Sequence, residues 1–179
     1  MRPWDRGTVR PGDPEPLLPG KMEYRFATLD DVPALARMNR QLVEDERHRN
    51  RFKSDAWLEE RMRGFLTGGY QAVLFELAGD VVAYALYAAH TDRRNTIHLR
   101  QIFVDRARRR QGIGREAMRI LTEEIWPADK RLTVAVLVGN RVARAFYKAV
   151  GFKEYSLELE IPASQRGAAR GERTHPRQG

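Results

Sequence analysis

An arginine-rich stretch with two glycines is the part of this sequence whose residue types point most directly to chemistry. Residues 106–117 read RARRRQGIGREA, with four arginines in the first five positions. Guanidinium groups bind phosphate oxygens through paired N–H donors. Glycines at 112 and 114 leave room for an anion against the backbone, and a helix that begins here directs its first N–H groups to the same place. The stretch therefore predicts a phosphate-binding loop.

The positive charge of the chain is concentrated in this loop. The 179 residues carry 32 Lys and Arg against 24 Asp and Glu, a net charge of +8. Residues 106–119 hold six arginines and one glutamate, and the rest of residues 21–162 is neutral. Proteins that follow a nucleic-acid backbone usually spread basic residues along a face, and the sequence has no RRM, KH or zinc pattern. The focal charge favours a compact polyanion, with a nucleic-acid-binding module as an alternative.

Two common phosphate motifs fit the stretch poorly. Gly112-x-Gly114-x-x-Ala117 matches the dinucleotide fingerprint G-x-G-x-x-G/A. That fingerprint follows its strand directly, whereas residues 105–111 intervene here, and the acidic residue expected about 20 positions later is absent. No G-x-x-x-x-G-K-[ST] motif occurs in the chain. We therefore expect a phosphate site of another geometry.

The apolar pattern predicts an α+β domain over residues 21–162, with a mixed, mostly antiparallel sheet and helices on both faces. The order is one strand, two helices, a three-stranded meander, a helix, a strand buried on both faces, a helix and a final strand. The predicted spans are 22–26, 28–46, 54–67, 70–77, 81–90, 96–104, 112–125, 132–138, 140–150 and 153–161.

Composition sets further expectations for the rest of the chain. Clustered Pro and Gly predict a flexible N-terminal arm over residues 1–20, and the lack of large apolar residues predicts a disordered basic tail over 163–179. The absence of cysteine excludes disulfides, thiolate nucleophiles and Cys-ligated zinc. No run of 18 apolar residues and no signal peptide is found, so a soluble cytoplasmic protein is expected.

Two segments of the chain resemble motifs of the GNAT superfamily, the acyl-CoA-dependent N-acyltransferases. VDRARRRQGIG at 104–114 is similar to [QR]-x-x-G-x-[GA], and NRVARAFYKAVGF at 140–152 is similar to N-x-x-A-x-x-[FL]-Y-x-x-x-G-F at every marked position. The order of elements agrees over residues 22–161. The resemblance implies a GNAT fold, acetyl-CoA as cosubstrate without a metal, and direct transfer to a primary amine of a small molecule or a peptide amino terminus. It implies no nucleic-acid or membrane partner, and a homodimer is possible.

The resemblance also implies which residues bind the cofactor. The backbone near the end of the third meander strand would pair with pantetheine, the loop backbone would hold the pyrophosphate, and the second motif would line the pantetheine arm. The residues concerned are Ile102, Phe103, Val104, Arg109, Arg110, Gln111, Gly112, Ile113, Gly114, Arg115, Asn140, Ala143 and Tyr147.

Two residues are candidates for proton transfer. Asn140 and Tyr147 are seven positions apart, about two helical turns, so they share a helix face with the small Ala143. The resemblance implies Tyr147 as the general acid for the departing thiolate, while packing beside Phe146 is its alternative role. His98 occupies the position where the family often has a glutamate base; a histidine titrates near neutral pH. A water chain, with His98 as an ordinary surface residue, is the alternative.

The acceptor site is predicted at the end of the first helix. Glu44, Asp45 and Glu46 would supply counter-charge to a cationic amine. The alternative is that these acids are solvated or paired with nearby arginines. A catalytically silent acetyl-CoA-binding or interaction domain is a further alternative for the whole chain, although the presence of both Asn140 and Tyr147 argues against it.

Overall fold

The described part of the chain, residues 21–45 and 53–161 of a computed structural model, forms five strands and four α-helices. In chain order these are β1 (Glu23–Phe26), α1 (Val32–Asp45), α2 (Asp55–Thr67), β2 (Gln71–Leu77), β3 (Asp80–Ala89), β4 (Thr96–Val104), α3 (Ile113–Ile120), β5 (Arg131–Val134) and α4 (Arg141–Ala149). The predicted α+β class is confirmed. None of the helices in these ranges is long and apolar enough to cross a bilayer.

The sheet is mixed and mostly antiparallel, as predicted. Its strands follow chain order from β1 to β5; the first four pair antiparallel, and β5 pairs parallel with β4. The β2–β3 hairpin turns at Ala78 and Gly79, whose φ angles are +51° and +84°. Two successive positive φ values give a turn whose twist matches that of the strands. The hairpin expected from the Ala-Gly-Asp break is therefore confirmed.

Helices cover both faces of the sheet. Residues of α1 and α2 pack on one face around the fully buried Tyr84. Residues of α3 and partly buried residues of α4 pack on the other face around Phe75 and Leu99. We call these the α1/α2 face and the α3/α4 face. Because the core is divided by the sheet, the three central strands β2, β3 and β4 contribute side chains to two separate apolar clusters.

Local signals place most element ends correctly. Thr28 and Asp31 form the predicted capping box, and Ser54 Oγ accepts from the N–H of Trp57 at 3.2 Å to start α2. Gly151, predicted as the stop after α4, has a φ of +99°, a conformation that favours glycine at helix ends. The helix predicted over 112–125 is α-helical from Ile113 to Ile120 and closes with a π-helical turn over Leu121–Ile125.

Two predictions about the last third of the domain are wrong. β5 covers only Arg131–Val134 rather than 132–138, and its residues are half-buried or exposed because it is the outermost strand of the described sheet. Residues 153–161 form no strand. The apolar alternation is present, but the side chains that carry it are 66–85% exposed; these are Tyr155, Leu157, Leu159 and Ile161. Alternation makes a strand only when a neighbouring backbone completes its hydrogen bonds.

Candidate active site

β4 has a bulge and one open edge. Its register against β3 pairs Leu99 with Tyr87 and Gln101 with Leu86, so Arg100 lies opposite no residue of β3. On the other side, β5 pairs with β4 only from Thr96 to Leu99. Beyond that point no strand in the described ranges pairs with this edge over residues 100–104. The end of β4 therefore has backbone groups available to a ligand that lies between it and β5.

The bulge also changes which way the side chains of β4 point. Four apolar side chains pack on the α3/α4 face: Ile97, Leu99, Ile102 and Val104. Strict alternation would not put both 99 and 102 on one face, so the extra residue at the bulge shifts the pattern by one. Arg100 and Gln101 are thereby both placed on the α1/α2 face, where Arg100 stacks on Phe65 and Gln101 hydrogen-bonds Asn39.

The loop after β4 forms an anion-binding backbone. Arg110 and Gly112 both have left-handed backbone conformations, with φ angles of +64° and +79°. No N–H group of residues 110–114 makes a hydrogen bond to any described residue, whereas those of Arg115 and Glu116 both donate to the carbonyl of Gly112 at 3.0 Å. Successive free N–H groups around left-handed residues, followed by a helix start, form a concave anion site. The free run thus ends at Gly114 and does not include the backbone of Arg115.

Glycine is required at the two positions of the motif for different structural reasons. Gly112 is required by its positive φ. At Gly114, a Cβ atom would lie 3.3 Å from Cε2 of Phe146 and 3.5 Å from Cγ2 of Val104. Gly114 therefore lets α3 approach β4 and α4 closely, which brings the start of α3 beside the open edge of β4.

Two arginines of the loop are held by carboxylates at the end of α1. Arg106 contacts Asp45 at 2.7 Å and Glu44 at 2.9 Å, and Arg109 contacts Asp45 at 2.5 Å. Partial burial alone would raise the pKa of Asp45, but the hydrogen bonds from Arg106 and Arg109 outweigh burial and lower that pKa. The loop is thus anchored to α1, a contact that sequence reasoning missed.

Further contacts complete this anchoring. Arg108 pairs with Asp80 of β3 at 2.9 Å, and the side-chain oxygen of Gln41 accepts from the N–H of Arg106 at 3.1 Å. Arg110 and Arg115, by contrast, form no ion pair with any residue in the described ranges. Most of the arginine cluster therefore fixes the loop in place, and these last two guanidinium groups are available to a bound anion.

The acids predicted for the acceptor site have other partners in this structure. Glu44 and Asp45 are exposed at the end of α1 but are engaged by the loop arginines. Glu46 lies outside the described residues. The sequence-based alternative, pairing with arginine, describes the observed contacts, although the partners are 61 to 64 positions away rather than adjacent. A role in acceptor binding stays a prediction.

α4 presents the second motif toward the α3/α4 face. Asn140 Oδ1 accepts from the N–H of Ala143 at 3.0 Å, so its predicted helix-capping role is confirmed. The ring of Tyr147 is half-buried, with ring centroids 5.3 Å from Phe146 and 5.5 Å from Phe152. Neighbouring rings fix its orientation. The fold therefore holds Tyr147 firmly on the helix that follows the short β5.

His98 lies beside the last rungs of the β4–β5 ladder. It pairs across the strands with Thr133, and its Nδ1 is 3.4 Å from Thr133 Oγ1. The Thr133 hydroxyl donates to the carbonyl of Ile97 at 3.3 Å, so its oxygen is left to accept from Nδ1–H of His98. These hydrogen bonds place the proton of the neutral His98 ring on Nδ1 and leave the lone pair on Nε2.

The surroundings of His98 favour its neutral form. Partial burial lowers the pKa of His98 below its ordinary value of 6.5, and the nearby positive charges of His90 and Arg100 lower it further. His98 lies on the α1/α2 face, whereas Tyr147 packs with the α3/α4 cluster. The two candidate proton-transfer residues are therefore on opposite faces of the sheet, and His98 lies one residue before the last β4–β5 pair at Leu99.

β4 stops pairing with β5 at Leu99, and the loop that follows β4 has left-handed residues and backbone N–H groups that bond no described residue before the start of α3. The family described as "Acetyltransferase (GNAT) family" matches residues 35–152. The chain belongs to this family and is an acetyl-CoA-dependent acetyltransferase. No match was found among the curated proteins.

Solved structures agree on the fold. A possible acetyltransferase from Clostridium difficile 630 is 20% identical, with 80% of this chain and 97% of that chain covered and a TM-score of 0.63. A predicted acetyltransferase with acetyl-CoA from Clostridium acetobutylicum is 17% identical, covers 81% and 98%, and has a TM-score of 0.62. Aminoglycoside N-acetyltransferase AAC(6')-Iy in complex with CoA is 15% identical, covers 82% and 98%, and has a TM-score of 0.64.

Proposed function

We propose that this acetyltransferase transfers the acetyl group of acetyl-CoA directly to a primary amine while both substrates are bound. One observation carries the proposal: β4 has no strand paired with one edge at residues 100–104 in the described part of the chain, and it leads into a loop whose N–H groups at 110–114 bond no described residue. Acetyl-CoA has an extended arm with amide groups joined to a pyrophosphate. The arm fits the open strand edge, and the pyrophosphate fits the N–H groups of the loop. The similar structures crystallised with acetyl-CoA and with CoA support this choice.

Each part of the cofactor has a matching group in the chain. The free N–H groups of 110–114 would hold the pyrophosphate, and Arg110 and Arg115 would neutralise its charge. Backbone groups of Ile102 and Phe103 would pair with pantetheine in the manner of an added strand. The carbonyl of Val104 already accepts from Arg109 Nε at 3.1 Å, so Arg109 supports this strand end from within the fold.

His98 and Tyr147, on opposite faces of the sheet, would supply the proton transfers. A neutral amine attacks the thioester carbonyl, forming a C–N bond and an oxyanion; collapse of this intermediate breaks the C–S bond. Nε2 of His98 would accept the proton that the amine loses, and the Tyr147 hydroxyl would donate a proton to the departing thiolate. The unpaired backbone at the bulge would offer hydrogen bonds to the oxyanion. The products are an N-acetyl amine and free CoA.

Replacing His98 with glutamine is expected to remove the acidic limb of the pH profile. In the wild type, kcat/KM should rise with pH through a pKa below 6.5, because His98 accepts a proton only when neutral. The variant should lose about 100-fold in rate, a typical contribution of a general base. His90→Gln is the matched control: removing its charge should move the limb to higher pH and preserve turnover. An unchanged profile in His98→Gln would assign the base to a water chain instead.

The proposed activity is tested by binding and turnover together. We expect isothermal titration to show acetyl-CoA binding, short RNA to give no saturable binding at moderate salt, and an amine panel to reveal turnover. The pairing of Arg106, Arg108 and Arg109 with carboxylates argues against a free nucleic-acid surface. Binding of RNA without acetyl-CoA would contradict the proposal, and acetyl-CoA binding without turnover of any amine would indicate the silent alternative. The expected homodimer stays a prediction that sedimentation velocity would test.

A further inference from the structure

Two arginines meet on one aromatic ring on the α1/α2 face of the sheet. The guanidinium carbon of Arg100 lies 5.5 Å from the ring centroid of Phe65, and that of Arg61 lies 5.4 Å from the same centroid. Arg61 also lies 5.5 Å from the ring of Trp57. We call this group of four side chains the arginine platform. It belongs to α2 and to the bulge of β4.

Arg100 has unused hydrogen-bonding capacity. It is exposed, and it forms no hydrogen bond or ion pair with any residue in the described ranges; its guanidinium group stacks on the ring of Phe65. Stacking on an aromatic ring uses the flat face of a guanidinium group and leaves its five N–H donors around the edge. Arg100 is therefore oriented by Phe65 and still able to bind a planar anion through two parallel hydrogen bonds.

Arg61 is held by a buried polar network. Its Nη1 donates to Asn39 Oδ1 at 3.0 Å, and Asn39 is fully buried. The amide of Asn39 donates in turn to the Tyr84 hydroxyl at 3.1 Å and to Gln101 Oε1 at 3.2 Å. Buried polar networks with satisfied hydrogen bonds are rigid. Gln101 is the residue beside Arg100 at the bulge, so the network fixes both arginines relative to β4.

The position of the platform relates it to the reaction. Arg100 is the bulge residue itself, directly after the last rung of the β4–β5 ladder, and it is close enough to His98 to lower that residue's pKa. A second ammonium group on the acceptor would be repelled here. The acids at the end of α1, Glu44 and Asp45, are already engaged by Arg106 and Arg109.

We infer that the acceptor is an amine that also carries a carboxylate, as an amino acid does, and that Arg100 binds this carboxylate with Arg61 beside it. This inference rests on the proposed acetyl transfer and adds the substrate class. The same positive charge lowers the pKa of the acceptor ammonium group, which favours the neutral amine that attacks the thioester. Polyamines and other purely cationic amines lack the group that the platform recognises.

The test compares amines with and without the carboxylate. Steady-state rates are measured with the common amino acids and with their amides, together with spermidine as a purely cationic amine. We expect the best amino acid to exceed its amide in kcat/KM by about 10-fold to 100-fold, the usual range for one charge-assisted pair. In Arg100→Gln this preference should disappear, mainly through a higher KM for the amino acid, while kcat/KM for the amide, which has no carboxylate to bind, should change much less.

Two further variants separate charge from geometry. Arg63 lies on α2 and pairs with Glu60 at 3.0 Å, so Arg63→Gln makes the same change in net charge away from the platform and should leave the preference intact. Arg100→Lys keeps the positive charge but loses the planar pair of N–H donors. This variant should therefore keep only part of the preference for the amino acid over its amide. Thermal melts of all variants should coincide with the wild type, because Arg100 and Arg63 are exposed.

The outcomes distinguish this inference from the proposed function. Turnover of spermidine or of amides at least as fast as that of amino acids overturns the inference and leaves acetyl transfer intact. Turnover of no amine on the panel while acetyl-CoA still binds overturns both the inference and the proposed acetyl transfer. If Arg100→Gln still prefers the amino acid over its amide, Arg100 does not bind the acceptor carboxylate. Failure of wild-type protein to bind acetyl-CoA would instead overturn the proposed function.

Discussion

Replacement of Gly112 by aspartate is expected to abolish acetyl-CoA binding. Gly112 has a φ of +79° within the run of free N–H groups, and a carboxylate at this position would meet the pyrophosphate with like charge. The loss of charge-assisted hydrogen bonds and the added repulsion should weaken affinity on the order of 100-fold to 1,000-fold. Isothermal titration with acetyl-CoA measures the change, and thermal unfolding establishes that the variant is folded.

Asparagine provides the matched control at Gly112. It has the size of aspartate and tolerates the left-handed conformation equally well, but it is uncharged. We expect Gly112→Asn to lose far less affinity than Gly112→Asp, with the difference shrinking at high salt because it is electrostatic. Equal affinities in the two variants would mean that charge repulsion from the introduced aspartate does not weaken acetyl-CoA binding. Normal binding by Gly112→Asp would mean that the pyrophosphate does not bind at this loop.

Replacement of Tyr147 by phenylalanine is expected to reduce turnover with little effect on acetyl-CoA affinity. The substitution removes only the hydroxyl and keeps the ring contacts with Phe146 and Phe152. General acid catalysis contributes about 100-fold to 10,000-fold to a rate. Because a thiolate is a comparatively good leaving group, it needs less help from an acid. We therefore expect kcat to fall by about 100-fold, at the lower end of that range. Stopped-flow or steady-state release of free CoA measures kcat, and titration measures affinity.

A second tyrosine controls for hydroxyl removal as such. Tyr155 is 72% exposed and its ring contacts the guanidinium groups of Arg93 and Arg131. Tyr155→Phe should therefore leave both kcat and affinity unchanged. If Tyr147→Phe has the same kcat as the wild type, the role of Tyr147 is limited to packing on α4.

Features that depend on neighbouring residues in the chain were predictable from the sequence. β4 has its predicted bounds of Thr96–Val104, the hairpin turns where Gly79 predicts it, and Asn140 caps α4 as expected. Capping, positive-φ glycines and apolar periodicity act over a few residues, so their physical causes are contained within short windows of sequence. The two sequence motifs indicated the GNAT family, and the family match over residues 35–152 confirms that membership.

One feature of the site was present in the sequence but needed the structure to be understood. The apolar residues of β4 that pack on the α3/α4 face are 97, 99, 102 and 104, and the gap of three between 99 and 102 marks the bulge at Arg100. Read alone, this spacing only weakens the alternation of a strand. The pairing with β3 shows that it instead places Arg100 and Gln101 side by side on the α1/α2 face, which creates the arginine platform.

The loop RARRRQGIGREA shows most clearly what the sequence determined and what tertiary structure decided. Its residue types determined an anion site, because glycine conformation and helix N-termini act locally. The sequence could not show which arginines are available, since their partners Glu44, Asp45 and Asp80 lie 28 to 64 positions away. These acids meet the loop only when α1 and the β2–β3 turn pack beside it. Likewise, residues 153–161 have the alternation of a strand but lack a partner in the described sheet. Ion pairs and strand pairing both require a second segment of chain, and the approach of that segment is a property of the fold.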